Sequence, residues 1–439
     1  MTDWPEEFMR RMNRQLGAEA DAFWQAMARP YERGVRLNPG KPAAVRDAGE
    51  PVPWYPALGR YLPLDSAAGA EPLHEAGAYY LQEPSAMAPV AALSPKPGER
   101  VLDLCAAPGG KSTQIAAALG ADGLLVCNEP VPARARVLSR NVERMGVTCA
   151  LVVSAAPEAL ARLWPGVFDA VLVDAPCSGE GMFRRHPEAA LEWNERSAEG
   201  CAARQKHILR QAARMLRAGG RLAYSTCTFS PEENEGVVEA FLAAEPGFAP
   251  LPFSLGGGLD APAGQLRLYP HRVRGEGHFV ALFVRRDAPM PPVSLNAPPA
   301  ALARPDAALL RAYGALEQDL GPLPKANAQL GQTLVCAPPL PPLQGVRVLR
   351  AGLHLGAMCG KVCQPDHALA LGSAQPLHPV PLDRAQALAY QSGQALPAPE
   401  TLRGYVTPTY EGLALGFAKA SGGQLKNHYP KGLRRAGLR

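Results

Sequence analysis

The chain has 439 residues, of which 47% are hydrophobic and 19% are charged, and its net charge is +5 at pH 7. This composition excludes a disordered chain, and the length suggests roughly three domains. There is no run of about 18 apolar residues and no basic-then-apolar leader, so we expect a soluble cytoplasmic protein without a membrane segment.

The nine cysteines are scattered singly through the sequence. An odd number without regular spacing favours reduced thiols, as in the cytoplasm. Cys359 and Cys363 lie between His354 and His367, a set compatible with zinc, but no second ligand pair of this kind occurs. We therefore predict no metal site and interpret these two thiols as buried.

The N-terminal segment begins with apolar residues at helical spacing, Phe8, Met12 and Leu16, followed by a second apolar group at residues 23–27. After Pro30 the sequence becomes extended and rich in proline. This order predicts a small domain of helices and strands over residues 1–85.

From about residue 98, short runs rich in valine and leucine alternate with helical stretches. The runs are RVLDLCA, GLLVCNE, CALVVSA, FDAVLVDAP and RLAYSTC, and the longest helical stretch is AEGCAARQKHILRQAARMLRAGG. Apolar runs of this length are typical of strands buried on both faces. The pattern predicts a doubly wound α/β sheet over residues 86–286, with HFVALFVRR as a late strand at the sheet edge.

The C-terminal third begins with a proline-rich linker over residues 287–305. Short helices and strands punctuated by glycine and proline then predict a small α+β module over 306–372 and another module over 373–439. Residues 419–439 contain six basic residues and no acidic one. A solvated tail is the simplest interpretation, whereas the interspersed Asn427, His428 and Tyr429 favour a nucleic-acid contact.

The stretch CAAPGGKS, after the first predicted strand, ends like a phosphate-binding loop. That loop requires a glycine where Cys105 stands, and Pro108 has no N–H to donate to an anion. A nucleotide triphosphatase is therefore disfavoured. Small residues let a ligand approach the backbone here, namely Ala106, Ala107, Gly109 and Gly110.

Glu129 ends the second predicted strand, 20 residues after Gly109. An acid at this place and distance is typical of a ribose-binding site. The combination favours a nucleoside-bearing ligand without a phosphate chain, of which S-adenosylmethionine is the common one.

Two cysteines follow neighbouring predicted strands. Asp174 and Cys177 lie at the end of the fourth strand in VLVDAPCSGEGMFRR, and Cys227 ends the fifth in RLAYSTCTFSPEENE. Adjacent parallel strands lie roughly 5 Å apart, so both thiols can converge on one cleft with the cofactor. Either cysteine alone is more simply a buried thiol, but the two together favour a function.

CAAPGGK, DAPCSGEGMFR and STCTFSPEENE together resemble the RNA 5-methylcytosine methyltransferases of the NOL1/NOP2/Sun family. The closest likeness is to the bacterial 16S ribosomal RNA cytosine methyltransferases of the RsmF type. VRLNPGK, YYLQEPSA and QLKNHYPKGLR also resemble that group, so the likeness spans nearly the whole chain.

The resemblance implies a Rossmann-like class I methyltransferase core with an RNA-recognition-like N-terminal domain and a PUA-like C-terminal RNA-binding module. It also implies methylation of carbon 5 of cytosine in 16S ribosomal RNA, within the small subunit or its precursor, by a monomer. Transfer RNA or 23S ribosomal RNA is the alternative substrate. We expect Arg36 and the basic tail with Tyr429 to flank the cleft and contact phosphates.

The resemblance also assigns roles in the reaction. Carbon 5 of cytosine is a poor nucleophile, so a thiolate must first add at carbon 6. Cys227 resembles the family's nucleophile, Asp174 would contact the base near N3 and stabilise the developing charge, and Cys177 would assist product release. The target base must leave any stack to reach this site.

The predicted cofactor site combines the loop, the strand ends and one arginine. Its residues are Cys105, Ala106, Ala107, Pro108, Gly109, Gly110, Lys111, Glu129, Arg134 and Asp174. One departure from the family pattern follows the third strand, where an Asp or Asn often holds the adenine amino group. Here Ser154 and two alanines stand instead, so either this hydroxyl or the backbone would make that contact.

Two other functions are disfavoured by the same motifs. A DNA cytosine methyltransferase has its attacking cysteine after the fourth strand and an ENV motif beyond it, but this sequence has no ENV. A non-catalytic RNA-binding module would not need both Cys177 and Cys227.

Overall fold

The computed structural model describes residues 4–287, 294–297, 301–360 and 362–434. Its N-terminal part combines short helices with an antiparallel sheet of order β2-β1-β3. Phe8 and Met12, whose spacing predicted the first helix, are fully buried on one of its faces. The elements are α1 (Glu6–Leu16), α2 (Ala20–Met27), β1 (Arg33–Leu37), β2 (Gly59–Leu62), α3 (Pro72–Glu75), β3 (Tyr79–Leu81) and α4 (Ala88–Leu93).

The central part is a Rossmann-like sheet with helices on both sides, which confirms the predicted fold class. Its elements are β4 (Arg100–Asp103), α5 (Gly110–Leu119), β5 (Leu124–Asn128), α6 (Pro132–Arg144), β6 (Ala150–Ser154), α7 (Pro157–Leu163), β7 (Phe168–Asp174), α8 (Pro187–Glu192), α9 (Glu195–Met215), β8 (Leu216–Thr226), α10 (Glu235–Ala244), β9 (Phe248–Pro250), β10 (Phe253–Ser254), β11 (Asp260–Ala261), β12 (Gln265–Leu268) and β13 (His278–Arg285).

The strands β8-β7-β4-β5-β6 run parallel in that order. Alternate residues of each strand face opposite sides of the sheet. In β7, Val171 packs in the hydrophobic cluster that contains α9, whereas Leu172 packs in the cluster that contains α6. Helices α9 and α6 therefore cover opposite faces of the same sheet.

Two predictions about this core are wrong, namely the position of one strand in the sheet and the end of one helix. The strand HFVALFVRR, β13, is not at the edge, because it pairs antiparallel with β8 on one side and with β12 and β9 on the other. The long helix ends at Met215 rather than at Gly220, because the buried Leu216 pairs with Phe168 of β7 and begins β8.

The C-terminal part forms smaller sheets packed with short helices. Its elements are α11 (Ala307–Gly314), α12 (Glu317–Leu320), β14 (Ala328–Leu330), β15 (Thr333–Cys336), β16 (Arg347–Ala351), β17 (Leu353–Cys359), β18 (Val362–Pro365), α13 (His367–Gly372), β19 (Pro379–Pro381), α14 (Arg384–Gln391), β20 (Leu396–Pro397), β21 (Gly404–Tyr410), β22 (Leu413–Ala414), β23 (Ala418–Ser421) and β24 (Gln424–Asn427).

The five-part division of the chain stays a prediction, and one strand crosses it. Strand β16 pairs antiparallel with β6 of the core, so the segment 306–372 extends the central sheet. Much of the predicted linker, residues 288–293 and 298–300, lies outside the described residues, as do residues 435–439 of the basic tail. The N-terminal and C-terminal parts share one hydrophobic cluster, which includes Val35, Tyr79, Tyr390 and Leu425.

None of the helices in the described part of the chain is long and apolar enough to cross a membrane. All nine cysteines lie in that part, and they are free thiols. Cys363 is buried, but Cys359 is exposed at the end of β17, so its interpretation as a buried thiol is wrong.

Candidate active site

A cleft of about 450 Å³ opens at the carboxyl edge of the parallel strands. Strand ends, the loop after β4 and the segment after β3 contribute its walls. It is lined by Tyr80, Leu81, Gln82, Glu83, Ala86, Asp103, Cys105, Ala106, Ala107, Pro108, Gly110, Lys111, Arg134, Asp174, Ala175, Met182, Cys227 and His278. Ligands of doubly wound sheets bind at this edge.

The glycines of the loop after β4 are required by packing. Gly109 has a φ of +112°, and a Cβ atom there would lie 3.2 Å from Leu138 of α6. A Cβ at Gly110 would lie 3.2 Å from the ring of Tyr80. Gly110 lines the cleft and Gly109 does not, so Gly109 shapes the loop rather than making room for a ligand.

Asp103 ends β4 beneath the cleft and is 1% exposed. Its Oδ2 accepts a hydrogen bond of 2.6 Å from the Ser112 hydroxyl, while its Oδ1 has no partner among the described residues. Burial raises the pKa of Asp103 to about 7 because a low-dielectric environment disfavours the charged carboxylate.

Lys111 and Asp174 form an ion pair inside the cleft, with 2.8 Å between Nζ and Oδ2. Burial alone would favour the neutral form of each group, but their mutual attraction outweighs it. The pKa of Lys111 is therefore raised and that of Asp174 lowered. The Ser225 hydroxyl donates a 2.7 Å hydrogen bond to Asp174 Oδ1 and fixes the orientation of the carboxylate.

His278, the first residue of β13, contacts the same lysine. Lys111 donates from Nζ to His278 Nε2 at 3.3 Å, and His278 Nδ1 lies 3.2 Å from the Ser85 hydroxyl. Burial and then the neighbouring ammonium lower the pKa of His278 to about 3. The imidazole is consequently neutral at pH 7, and its Nε2 accepts a hydrogen bond from the Lys111 ammonium.

The two cysteines lie side by side, with 3.4 Å between the sulfurs of Cys177 and Cys227. Cys227 lines the cleft, whereas Cys177 lies behind it and does not. The hydrogen bond with Cys227, followed by burial, raises the pKa of the Cys177 thiol well above its usual value. Cys177 therefore keeps its proton, and Cys227 is the sulfur presented to a ligand.

The loop that carries Cys177 is fixed by buried carboxylates. Glu233 accepts hydrogen bonds from the Ser178 backbone N–H at 3.0 Å and from Gln205 Nε2 at 2.8 Å. Gln205 of α9 also donates to the carbonyl of Pro176 at 3.0 Å. These bonds hold the segment between Pro176 and Ser178 against α9.

Glu129 is 2% exposed at the end of β5 and is held by two donors. The Val131 N–H donates to it at 2.9 Å, and Arg134 Nη1 lies 3.3 Å from its other oxygen. Arg134 also donates to the carbonyl of Ala107 at 3.1 Å and lines the cleft, whereas Glu129 does not. The Ser154 hydroxyl donates to the Pro130 carbonyl at 3.3 Å, so its adenine contact stays a prediction.

Some residues of the cleft were not identified from the sequence. Tyr80, Gln82 and Glu83 come from the YYLQEPSA segment, which was noted only as a likeness. Met182 and His278 stand in quoted stretches, VLVDAPCSGEGMFRR and HFVALFVRR, but were not assigned to the site. The N-terminal segment reaches the cleft through non-local packing, so strand-end rules did not point to it.

Two expected RNA contacts are wrong because both side chains are buried. Arg36 is 0% exposed and donates to Gln82 Oε1 at 2.8 Å and to Thr113 Oγ1 at 2.6 Å, joining β1 to α5. Tyr429 is 2% exposed and packs edge-on against the rings of Tyr390 and His367. Both residues stabilise contacts between parts of the chain.

Family models match most of the chain. The model described as 16S rRNA methyltransferase RsmB/F matches residues 90–284. The N-terminal domain of 16S rRNA methyltransferase RsmF matches residues 4–84, and the methyltransferase RsmF PUA domain matches residues 378–435.

Curated relatives match over nearly their full length. Ribosomal RNA small subunit methyltransferase F of Klebsiella pneumoniae is 34% identical, with 99% of this chain and 97% of the relative aligned. The protein of the same name from an Enterobacter species is 33% identical over 99% of this chain and 96% of its own length.

A solved structure supports the same assignment over about two thirds of the chain. A methyltransferase homolog protein from Pyrococcus horikoshii is 30% identical, with 65% of this chain and 96% of that chain aligned and a TM-score of 0.56. Together with the full-length relatives, this likeness establishes that the chain belongs to the RsmF family of 16S ribosomal RNA methyltransferases.

Proposed function

We propose that this protein transfers the methyl group of S-adenosylmethionine to carbon 5 of cytosine in 16S ribosomal RNA. The observation that carries the proposal is the open Cys227 thiol beside the Lys111–Asp174 ion pair, with the protonated Cys177 3.4 Å behind it. Addition to a cytosine ring requires a nucleophile and a proton source. Release of the ring is assisted by a second thiol.

The residues of the cleft fit S-adenosylmethionine. The buried Asp103 Oδ1 lacks a partner among the described residues and is available to a donor on the ligand. The small residues of 105–110 leave the backbone accessible, and Arg134, the ion-pair partner of Glu129, lines the cleft. Contact of the buried Glu129 with a ribose diol would require the cofactor to displace one of its present partners. When bound, S-adenosylmethionine supplies an electrophilic methyl group.

Cys227 begins the reaction by losing its thiol proton to solvent and adding as the thiolate to carbon 6 of cytosine. The new S–C6 bond forms as the electrons of the C5–C6 double bond move toward N3 and make carbon 5 nucleophilic. An ionised Asp174 alone would oppose that charge, so we assign its stabilisation to the pair. The Lys111 ammonium can pass a proton toward N3 along its 2.8 Å hydrogen bond with Asp174.

Cys177 assists the release of the product. After carbon 5 carries the methyl group, a water molecule takes the remaining C5 proton, and the electrons of that C–H bond restore the C5–C6 double bond. The bond between carbon 6 and sulfur breaks with its electron pair on Cys227, and the N3 proton returns to the Lys111–Asp174 pair. The Cys177 thiol retains its proton, because its pKa is raised, and donates a hydrogen bond to the departing sulfur. A missing donor at this position would slow release more than attack.

The C-terminal module supplies a basic surface for RNA. Lys419 on β23 and Lys426 on β24 are register partners, and both are exposed. Like charges directly opposite each other destabilise a sheet unless an anion lies between them, so the pair favours a phosphate ligand. We further propose that the protein acts as a cytoplasmic monomer.

Methyl transfer to purified RNA tests the proposal. The protein is incubated with labelled S-adenosylmethionine and, separately, 16S, 23S and transfer RNA, and the digested nucleosides are identified by mass spectrometry. We expect 5-methylcytidine in 16S ribosomal RNA. Label on another base would contradict the chemistry, and label confined to 23S or transfer RNA would contradict the substrate.

A further inference from the structure

Helix α9 presents a basic face to solvent. The face consists of Arg204, Lys206, Arg210 and Arg214, which we call the α9 basic face. The three arginines are exposed and Lys206 is partly exposed. No acidic residue occurs in the sequence over residues 200–231, and the acid that precedes the face on the helix is the exposed Glu199. At 1.5 Å per residue, Arg204 and Arg214 lie about 15 Å apart along the helix.

These cations lack ion-pair partners among the described residues, unlike the basic residues around them. His207 pairs with Glu158, Arg217 with Asp169 and Arg221 with Glu99. Lys206, Arg210 and Arg214 follow one another at i,i+4 spacing, at which like charges repel and destabilise an isolated helix. A row of this kind is favourable where an external polyanion neutralises it.

The opposite face of α9 supports the reaction centre. Gln205, between Arg204 and Lys206 in sequence, is fully buried and donates to the Pro176 carbonyl and to Glu233. These bonds hold the loop that carries Cys177. A ligand at the Arg204 end of the α9 basic face would therefore lie one helix diameter from the catalytic loop, about 10 Å.

The position of α9 differs from that of the C-terminal module. The module reaches α6 through His367 of α13, whose Nδ1 lies 2.8 Å from Glu143 Oε1 and whose ring packs edge-on against Tyr429 of the module. Helices α6 and α9 cover opposite faces of the sheet. The lysines of the module and the α9 basic face thus lie on opposite sides of the sheet. The α9 basic face extends from the level of the catalytic loop, at Gln205, to the start of β7, where the Gly166 N–H donates to the Arg214 carbonyl.

We propose that the α9 basic face binds the phosphate backbone of the RNA whose cytosine enters the cleft, an inference that rests on the proposed function. Arginine guanidinium groups match phosphates in pairs of hydrogen bonds. A protein partner would require apolar or aromatic residues at the centre of the face, and the described exposed face of α9 has no large apolar side chain.

The salt dependence of RNA binding tests this surface. The variant carries Arg204→Gln, Arg210→Gln and Arg214→Gln, since glutamine preserves helix propensity. A matched control carries Arg286→Gln, Arg304→Gln and Arg311→Gln, three exposed arginines elsewhere that lose the same charge. Binding of 16S ribosomal RNA is measured without cofactor over a range of KCl concentrations.

We expect the negative slope of log K against log salt to become shallower by about two to three units in the α9 variant. We expect its affinity for RNA at low salt to fall at least tenfold. The control keeps the wild-type slope, and both variants keep the wild-type affinity for S-adenosylmethionine. The single variant Arg210→Gln should lower the slope by about one unit.

An α9 variant with the slope of the control would overturn the proposal. Binding of polyglutamate, a model for an acidic protein, is measured in parallel. If the α9 variant keeps the salt slope of the control but no longer binds polyglutamate, the face binds an acidic protein instead of RNA. Because binding is measured without methyl transfer, a lowered slope supports the surface even if no 5-methylcytidine forms. Conversely, normal methylation with an unchanged slope refutes this surface alone.

Discussion

Asp103 shows how burial at a single position couples the cleft to stability. Its carboxyl is enclosed beneath the loop after β4, and its pKa is raised to about 7. A raised pKa means that the folded protein prefers the neutral acid. The resulting stabilisation is complete below the ordinary pKa of about 4 and is lost as the pH rises through 7.

Replacing Asp103 with asparagine removes this dependence. Asparagine stays neutral, and its Oδ1 can still accept the Ser112 hydrogen bond. We expect the free energy of unfolding of Asp103→Asn, relative to wild type, to increase by about 2–3 kcal/mol between pH 5 and pH 8.5. Urea unfolding without cofactor measures it, and an equal difference at both pH values would contradict the assignment.

At the same scale, sequence rules located the residues that follow strands but not those that come from elsewhere. Lys111, Asp174 and Cys227 stand after strands whose apolar runs were recognisable, and all three line one cleft. His278 begins a strand rather than ending one, and Tyr80 reaches the cleft from the N-terminal segment. Their positions depend on long-range packing that short spacing does not encode.

Among the elements, α1 is joined to the loop after β7 by a buried ion pair between Arg11 and Glu180. Glu180 is fully buried and also accepts from Trp193 Nε1 at 3.0 Å and from the Phe229 N–H at 2.9 Å. One carboxylate therefore connects the N-terminal helix to the segments that follow Cys177 and Cys227.

Loss of the arginine should destabilise this junction. Arg11→Met leaves the Glu180 carboxylate buried without its cation, so we expect the free energy of unfolding to fall by about 3 kcal/mol. Arg14→Met, on the exposed side of the same helix, should change it by less than about 0.5 kcal/mol. Adding Glu180→Gln to Arg11→Met should recover part of the loss.

Denaturant unfolding of these variants provides the measurement. Equal effects of Arg11→Met and Arg14→Met would show that the pair contributes nothing. A double variant less stable than Arg11→Met alone would show that the carboxylate, rather than its missing cation, determines the stability of the junction.

The order of elements in the core was predictable because apolar runs of strand length alternate with amphipathic helices. The ends of the elements and the pairing partners of the strands were not predictable. The stretch beginning at Leu216 is helical in pattern but pairs with β7, since a buried leucine beside Phe168 gains more than another helical turn. The pairing of β16 with β6 joins segments about 200 residues apart, and no local pattern in Arg347–Ala351 reveals it.

Across the whole molecule, RNA is expected to contact basic surfaces on both sides of the central sheet. Residues 418–427 form two strands of the C-terminal sheet, so truncation there would remove structure as well as charge. Substitution separates the two effects. Lys419, Lys426 and Lys431 are exposed and lie on one module.

Replacing these three lysines with glutamine should make the negative salt slope of 16S ribosomal RNA binding shallower by about two to three units. The affinity for S-adenosylmethionine, measured by calorimetry, should not change. The variant with three arginines replaced at 286, 304 and 311 controls for net charge. A slope equal to that control would mean that the module's lysines are only solvated.

The central claim is that Cys227 attacks cytosine and Cys177 releases it. Denaturing gels of each alanine variant, incubated with 16S ribosomal RNA and S-adenosylmethionine, test it most directly. We predict that Cys177→Ala accumulates a covalent protein–RNA adduct, whereas Cys227→Ala forms none and transfers no methyl group. An adduct with Cys227→Ala, and none with Cys177→Ala, would contradict the account and reverse the two roles.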